Sequence, residues 1–192
     1  MDLPDRLRRC LSTRARIELV ESEAVCCAVL VPLVRDGDGY RVLYTLRSEA
    51  LPNHRGQVAF PGGKQHVEDP SLLETALREA HEEVGITPAD VTVLGRLDDV
   101  HTILPKYVVT PYVGVLPAGY GFRANPAEVA DLFTVALSDL GDPTFQEIEQ
   151  RTMRGTPFDV ETITAGPHVI WGVTHKITKN LLDCIENAKT IP

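Results

Sequence analysis

The stretch FPGGK at residues 60–64, followed after a short gap by REAHEEVGI at residues 78–86, decides the fold of this chain. Apolar residues recur at three- and four-residue steps before and within the second stretch, which predicts an amphipathic helix. The residues on this apolar face are Leu73, Ala76, Leu77, Ala80 and Val84. The ends of the helix are predicted as well, because Asp69 can cap it, Pro70 suits its first position and Gly85 suits the position after its end.

Three glutamates lie on another face of the predicted helix. Glu79, Glu82 and Glu83 stand at positions i, i+3 and i+4, so their side chains are neighbours. Each like-charge pair at this spacing costs roughly 0.2–0.5 kcal/mol, and the negative end of the helix dipole also disfavours carboxylates. Three glutamates alone are usually a solvated acidic face. The nearby Gly-Gly turn and Arg78 instead favour a metal site, where a cation offsets the repulsion.

The residue types at this site suit a hard cation. Carboxylate oxygens are ligands that Mg²⁺ and Mn²⁺ prefer, and Mg²⁺ often shares them with substrate phosphate oxygens. Such a cation offsets charge on a diphosphate and activates a water for attack. Gly62 and Gly63 let the backbone come close to this centre. Arg78 is expected to orient the glutamates through a bidentate hydrogen bond.

The helix and turn resemble the Nudix box, which runs Gly, five residues, Glu, seven residues, Arg-Glu-aliphatic-any-Glu-Glu-any-Gly-aliphatic. The matching residues are Gly63, Arg78, Glu79, Glu82, Glu83, Gly85 and Ile86. Asp69 stands in place of the first Glu, one residue further from Arg78 than in the pattern. The resemblance implies an α/β (α+β) fold, in which a Nudix-type mixed β-sheet is sandwiched between α-helices.

The same resemblance implies the roles of the box residues. Glu79 and Glu83 would hold the main metal ion, Mg²⁺ or Mn²⁺, while Glu82 would bind a second ion or act as the base. Arg78 would act with Glu82 in catalysis by fixing the geometry of the glutamates. Nudix proteins often place a further acidic group downstream. The candidates here are Glu128, Glu147 and Glu149, among which the sequence does not choose.

Residues 43–63 carry a narrower resemblance to the motif that precedes the box in coenzyme A diphosphatases. Residues 170–174 are similar to the C-terminal pattern of that subgroup, although Glu49 and Pro52 differ from its common residues. The implied substrate is coenzyme A (CoA) or an acyl-CoA, cleaved to adenosine 3′,5′-bisphosphate and 4′-phosphopantetheine or its acyl form. The implied substrate-binding residues are Arg47, His54, Gln57, Gly62 and Gly63.

Two alternatives fit the box as well. The first is a Nudix diphosphatase for ADP-ribose, a dinucleotide or a capped RNA end, because the same box serves all of these substrates. The second is a ligand-binding Nudix module that does not turn over its ligand. The intact Arg78 and glutamates argue against this module, since a non-catalytic protein has no reason to retain the repulsion between Glu79, Glu82 and Glu83.

Composition limits the partners of the protein. Its 192 residues fit one domain, and we expect a helical extension at residues 1–22 and a single Nudix hydrolase domain at 23–188. Acidic residues outnumber basic ones 27 to 19, and the net charge of −8 argues against binding nucleic acid or an anionic membrane. The expected partner is therefore a small CoA-like nucleotide, and a homodimer is compatible with the sequence. No secretory leader or long apolar span is recognisable, which favours the cytoplasm.

The hydrophobic pattern also predicts the other elements. A basic helix is expected from residue 3 to about 20, a hairpin turn at 36–39 and a last helix at 174–187. The expected strands cover residues 24–34, 40–46, 57–60, 91–97, 107–116, 156–163 and 168–171, with short helical or turn segments at 125–133 and 135–140. Cys26 and Cys27 are predicted to be buried thiols, and Asp98 and Asp99 to cap a turn.

Overall fold

A mixed β-sheet with its longest strand near the centre organises the fold. The structure is a computed structural model that describes residues 2–21, 23–102, 106–153 and 155–189. Within these residues the sheet has eight strands: β1 (Val25–Asp36), β2 (Gly39–Arg47), β3 (Val58–Ala59), β4 (Gly62–Lys64), β5 (Thr92–Arg96), β6 (Val100–His101), β7 (Tyr107–Leu116) and β8 (Val129–Ala136). A smaller antiparallel sheet contains β9 (Gln146–Met153), β10 (Thr156–Ala165) and β11 (His168–Ile170). The helices are α1 (Leu3–Thr13), α2 (Leu72–Val84), α3 (Leu137–Leu140) and α4 (Gly172–Lys189).

Strands β1 and β2 diverge, and the divergence makes room for the glycine turn. The end of β1 pairs with β2 in the hairpin, and residues 25–34 of β1 run parallel to β7. Earlier in β1, however, Ala28 and Val29 pair with Gly63 and Gly62 of β4. On the edge of β2 that faces β1, Thr45 and Leu46 pair with β3. The other edge of β2 pairs with β8. Residues 58–64 therefore fill the gap between the two diverging strands.

Both faces of the large sheet are covered. Successive strand residues point to opposite faces, so Leu43 packs with α2 whereas Tyr44 packs on the other side. That second side is covered by α1, α4 and the smaller sheet, with Leu7 and Ile177 in the same cluster as Tyr44. The predicted α/β (α+β) class, a mixed sheet sandwiched between helices, is confirmed. No helix among the described residues is long and apolar enough to span a membrane.

Helix α2 ends where the sequence predicts but begins later. Gly85 adopts the left-handed conformation (φ 72°), and its N–H donates to carbonyls of the last turn. The start predicted at Asp69 and Pro70 is wrong, because Ser71 is the N-cap and its hydroxyl accepts the N–H of Glu74. The Asp69 carboxylate is instead bound to Arg78, Thr75 and the backbone N–H of His66.

The N-terminal helix is shorter than predicted. Helix α1 stops at Thr13, and the following residues run in extended form along the domain. Asp98 accepts the N–H of Ile17 at 2.9 Å, and Asp99 accepts the N–H of Leu19 at 3.0 Å. These two carboxylates thus hold the extended segment, which corrects their predicted role as turn caps. The expected domain boundary at residue 22 lies outside the described residues and stays a prediction.

Two further predictions are corrected by the structure, and one strand is additional to those predicted. Much of the segments predicted as helical or turn at 125–133 and 135–140 instead forms β8 (Val129–Ala136), because it pairs with the free edge of β2. Strand β9 was not predicted, since its polar residues show no apolar alternation, and its pairing with β10 makes it a strand. Cys26 is exposed and only Cys27 is buried, because neighbours on a strand face opposite ways. The remaining predicted strands and the last helix are confirmed to within two residues at each end.

Candidate active site

The three glutamates of the box differ in their surroundings. All lie in the last turns of α2, beside β4. Glu83 is 3% exposed, the side chain of Glu79 is 14% exposed and that of Glu82 is 51% exposed. The repulsive triad therefore combines two carboxylates withdrawn from water with one that solvent and substrate can reach.

Glu83 is held between the glycine turn and the end of β2. Its Oε2 atom accepts the backbone N–H of Gly62 at 3.1 Å, and its Oε1 atom lies 3.7 Å from Nη1 of Arg47. Burial raises the pKa of Glu83 to about 7, with the Gly62 hydrogen bond and Arg47 opposing the shift. Burial also raises the pKa of Glu79, against the effect of Arg78. The protein alone thus supplies too little positive charge for these two carboxylates.

The two glycines are required by close contacts at the site. A Cβ atom at Gly63 would lie 2.5 Å from the carboxyl carbon of Glu79. A Cβ atom at Gly62 would collide with the backbone carbonyl oxygen of Ala28. Any larger residue at 63 would displace a glutamate, whereas one at 62 would push β4 away from β1.

Arg78 links the glutamates to the loop before the helix. It forms a bidentate ion pair with Asp69 and uses Nη1 to donate to Oε1 of Glu79 at 2.8 Å and Oε2 of Glu82 at 3.2 Å. Its Nη2 also donates to the carbonyl oxygen of Lys64. The bidentate partner is thus Asp69 rather than a glutamate, and Arg78 holds the pKa of Asp69 well below its usual range.

The acidic cluster fits a divalent cation. Among the described residues, no three His, Cys, Asp or Glu side chains are grouped so that they could hold a metal ion as they stand. Glu79 and Glu82 each have an oxygen on Arg78, while Glu83 is buried with a raised pKa. A cation between buried carboxylates offsets both their repulsion and their desolvation. Because all the donors are oxygens, the residues fit Mg²⁺ or Mn²⁺.

The structure brings some of the predicted substrate-binding residues to the glutamates. Arg47 faces Glu83, and its buried Nε atom has no hydrogen-bond partner within the described part of the chain. His54 and Gln57 lie in the neighbouring loop, where Nδ1 of His54 is 3.0 Å from Oε1 of Gln57. Two backbone hydrogen bonds join Arg47 to Gly56 and Gln57, so this loop is anchored at the end of β2.

Glu128 is the downstream acidic residue that lies at the site. Its charge contributes to raising the pKa values of Glu79 and Glu83. The turn that carries it is fastened to the end of α2, since the N–H of Asn125 donates to the carbonyl oxygen of Glu83. The other two candidates, Glu147 and Glu149, belong to β9 in the smaller sheet. His81 points away from the glutamates toward the Ile86 carbonyl, as predicted.

The mixed sheet, the glycine turn and the acidic end of α2 together define a hydrolase that cleaves diphosphate bonds. The chain belongs to the Nudix family, because the NUDIX domain matches residues 27–154.

Relatives support this assignment along most of the chain. A Photorhabdus laumondii protein, named as an uncharacterized Nudix hydrolase NudL, is 40% identical over 159 residues, covering 83% of this chain and 84% of that protein. A NudL protein of Yersinia pestis is 39% identical over 154 residues, covering 80% and 76%. The structure of a NUDIX hydrolase from Alicyclobacillus acidocaldarius has the same fold, with a TM-score of 0.54 at 18% identity over 90% of this chain and 98% of that one.

Proposed function

We propose that the protein hydrolyses the diphosphate of CoA or an acyl-CoA, releasing adenosine 3′,5′-bisphosphate and 4′-phosphopantetheine or its acyl form. The observation that carries this proposal is the contact between Arg47 and Glu83, 3.7 Å apart. Arg47 belongs to the segment that resembles the CoA diphosphatase motif, and Glu83 belongs to the box. The contact therefore joins the segment that resembles the CoA diphosphatase motif to the box residues that resemble a diphosphate-cleaving site.

The glutamates have separate roles in this proposal. Mg²⁺ or Mn²⁺, when bound, offsets charge on the diphosphate and activates a water. Glu79 and Glu83 would hold this ion, and their low exposure keeps competing water away. Glu82 is the most exposed of the three, so it can take up a proton at its carboxylate or hold a second ion. Arg78 positions Glu79 and Glu82, and is itself positioned by Asp69.

The substrate-binding residues surround this centre. The side chain of Arg47 is 24% exposed, so its guanidinium can donate to a phosphate oxygen. His54 and Gln57 extend the polar surface along the loop, where the ribose or the 3′-phosphate could be bound. Gly62 and Gly63 would contact the diphosphate through their backbone, because each lies too close to its neighbours to carry a side chain.

A substrate panel tests the proposal. The protein is incubated with Mg²⁺ or Mn²⁺ and, separately, CoA, octanoyl-CoA, ADP-ribose, NADH or a dinucleoside polyphosphate, and products are identified by chromatography and mass spectrometry. We expect CoA or its acyl form to have the highest kcat/KM. Glu83→Gln, purified in parallel, controls for contaminating hydrolases. A preference for ADP-ribose over CoA contradicts the CoA assignment, and no hydrolysis of any compound favours a binding module.

A further inference from the structure

A cavity lies away from the glutamates. It has a volume of about 320 Å³ and is formed by β8, the turn between β10 and β11, and the segment before β9. Phe133, Val135 and Phe145 contribute apolar surface, while Arg41 and Asp139 contribute polar groups. Phe133 is covered on one side by the ring of His168, with the ring centroids 3.9 Å apart. The cavity is therefore a mainly apolar hollow built from both sheets.

The register of β2 and β8 relates this cavity to the active site. Arg47, which contacts Glu83, pairs with Val129 at the start of β8. Further along, Tyr44 pairs with Phe133 and Val42 pairs with Val135. At about 3.3 Å per residue, the cavity wall lies roughly 10–17 Å from Arg47 along the strand.

We propose that this cavity binds the acyl group, or the thiol end, of the pantetheine arm, an inference that rests on the proposed CoA-type substrate. The arm between the phosphate oxygen and the sulfur has roughly twelve bonds, as many as about four extended residues, and so reaches roughly 14 Å. The cavity includes side chains of β8 on the face opposite α2, so an arm from the glutamates would follow the outer edge of β8, which pairs with no other strand among the described residues. Along this edge the arm brings the sulfur to the level of the cavity. The group attached to the sulfur then enters the apolar hollow.

Charge and size favour this end of the substrate over the 3′-phosphate of the adenosine. Asp139 lines the cavity and Asp131 lies beside it, 3.2 Å from Nε2 of His168, so a phosphate would meet two carboxylates. Arg41 already donates through Nε and Nη2 to Thr134. The volume is at the lower limit for small-molecule pockets, which suits a short or medium acyl chain rather than a nucleotide.

Filling the cavity tests the inference. Ala165 lines it at the end of β10, and Ala165→Leu adds three carbon atoms there. Ala118→Leu makes the same change at an exposed turn after β7 and serves as the matched control. We expect Ala165→Leu to lower the ratio of kcat/KM for octanoyl-CoA to kcat/KM for CoA by about tenfold, equivalent to losing roughly two buried methylene groups. The control should keep the wild-type ratio.

Each outcome bears on the cavity. An unchanged ratio in Ala165→Leu, or no preference for octanoyl-CoA in the wild type, overturns the inference. If Ala165→Leu does not fold, Phe145→Ala, which removes a 38% exposed wall residue, should lower the same ratio. If the wild type hydrolyses neither CoA compound, the proposed function fails and the cavity is tested by calorimetry with S-octanoyl-pantetheine, which lacks the diphosphate. Binding that Ala165→Leu abolishes supports the cavity, whereas no binding to the wild type refutes it.

Discussion

Arg78 and Asp69 form a bidentate ion pair, with Nε to Oδ1 at 2.9 Å and Nη2 to Oδ2 at 3.0 Å. Asp69 stands where the Nudix box pattern has its first Glu, and its side chain is shorter than that of Glu. One more residue than in the pattern separates it from Arg78. The pair leaves Nη1 of Arg78 for Glu79 and Glu82. Asp69 therefore belongs to the site through Arg78.

Asp69→Asn should weaken both the fold and catalysis. The side chain of Asp69 is 7% exposed, and hydrogen bonds to charged groups contribute about 1.5–3 kcal/mol. We expect a decrease of that order in the free energy of unfolding, measured in urea, and a lower kcat because Arg78 is less constrained. Asp38→Asn, in the exposed hairpin turn, is the control. Asp69→Glu restores the negative charge and should recover part of kcat. If Asp69→Asn has the same kcat as the wild type, Asp69 does not position Arg78 for catalysis.

Glu83→Gln should separate activity from stability. Because the folded pKa of about 7 exceeds the ordinary value of 4.5, the protonated carboxyl favours folding, and this contribution is lost as the pH rises between those values. The amide oxygen of Gln can still accept the Gly62 N–H. Without metal, the stability of the variant relative to wild type should increase by on the order of 3 kcal/mol as the pH rises from 4.5 to 8. Turnover should fall by orders of magnitude.

Urea unfolding in EDTA at several pH values checks the stability of this variant. Glu74→Gln, in the exposed first turn of the same helix, provides the comparison and should show no such pH dependence. A Glu83→Gln protein that is less stable than wild type at pH 8 would show that burial of the charge is not costly here.

Divalent metal should stabilise the folded protein through the same glutamates. An ion that binds only the folded state at a concentration 100 times its Kd adds about 2.7 kcal/mol to the free energy of unfolding. We expect Mg²⁺ or Mn²⁺ to raise the Tm of wild type and of Glu74→Gln, and to have a much smaller effect on Glu83→Gln. An equal rise in all three proteins would place the ion elsewhere.

Local signals account for what the sequence predicts well. Gly85 ends α2 because glycine adopts the left-handed conformation without steric strain. The turn at 36–39 likewise depends only on residues that are neighbours in the sequence. The box, likewise, is a contiguous motif on one helix and one turn. These features could be derived without knowing which strands pair.

The errors concern contacts between distant residues. Strand β8 depends on the free edge of β2, about ninety residues earlier. Asp99 binds the backbone N–H of Leu19 and so holds the segment after α1 in extended form. The choice of Glu128 over Glu147 and Glu149 depends on a turn fastened to the end of α2. No periodicity in the sequence encodes these partners, because each arises only once the sheet has assembled.

Three glycine substitutions should distinguish crowding of the metal site from damage to the fold. At Gly121 an added Cβ meets nothing within 4 Å, so Gly121→Ala should leave activity and stability near wild type. At Gly63 the added Cβ meets the Glu79 carboxylate, a movable side chain, so Gly63→Ala should fold but bind Mg²⁺ or Mn²⁺ more weakly and lose activity. At Gly62 it meets the backbone of β1, so Gly62→Ala should unfold at a clearly lower urea concentration. Urea unfolding and metal titration by calorimetry measure these effects. If Gly63→Ala keeps wild-type metal affinity, Glu79 is not a ligand, because its carboxylate cannot remain in place beside the new methyl group.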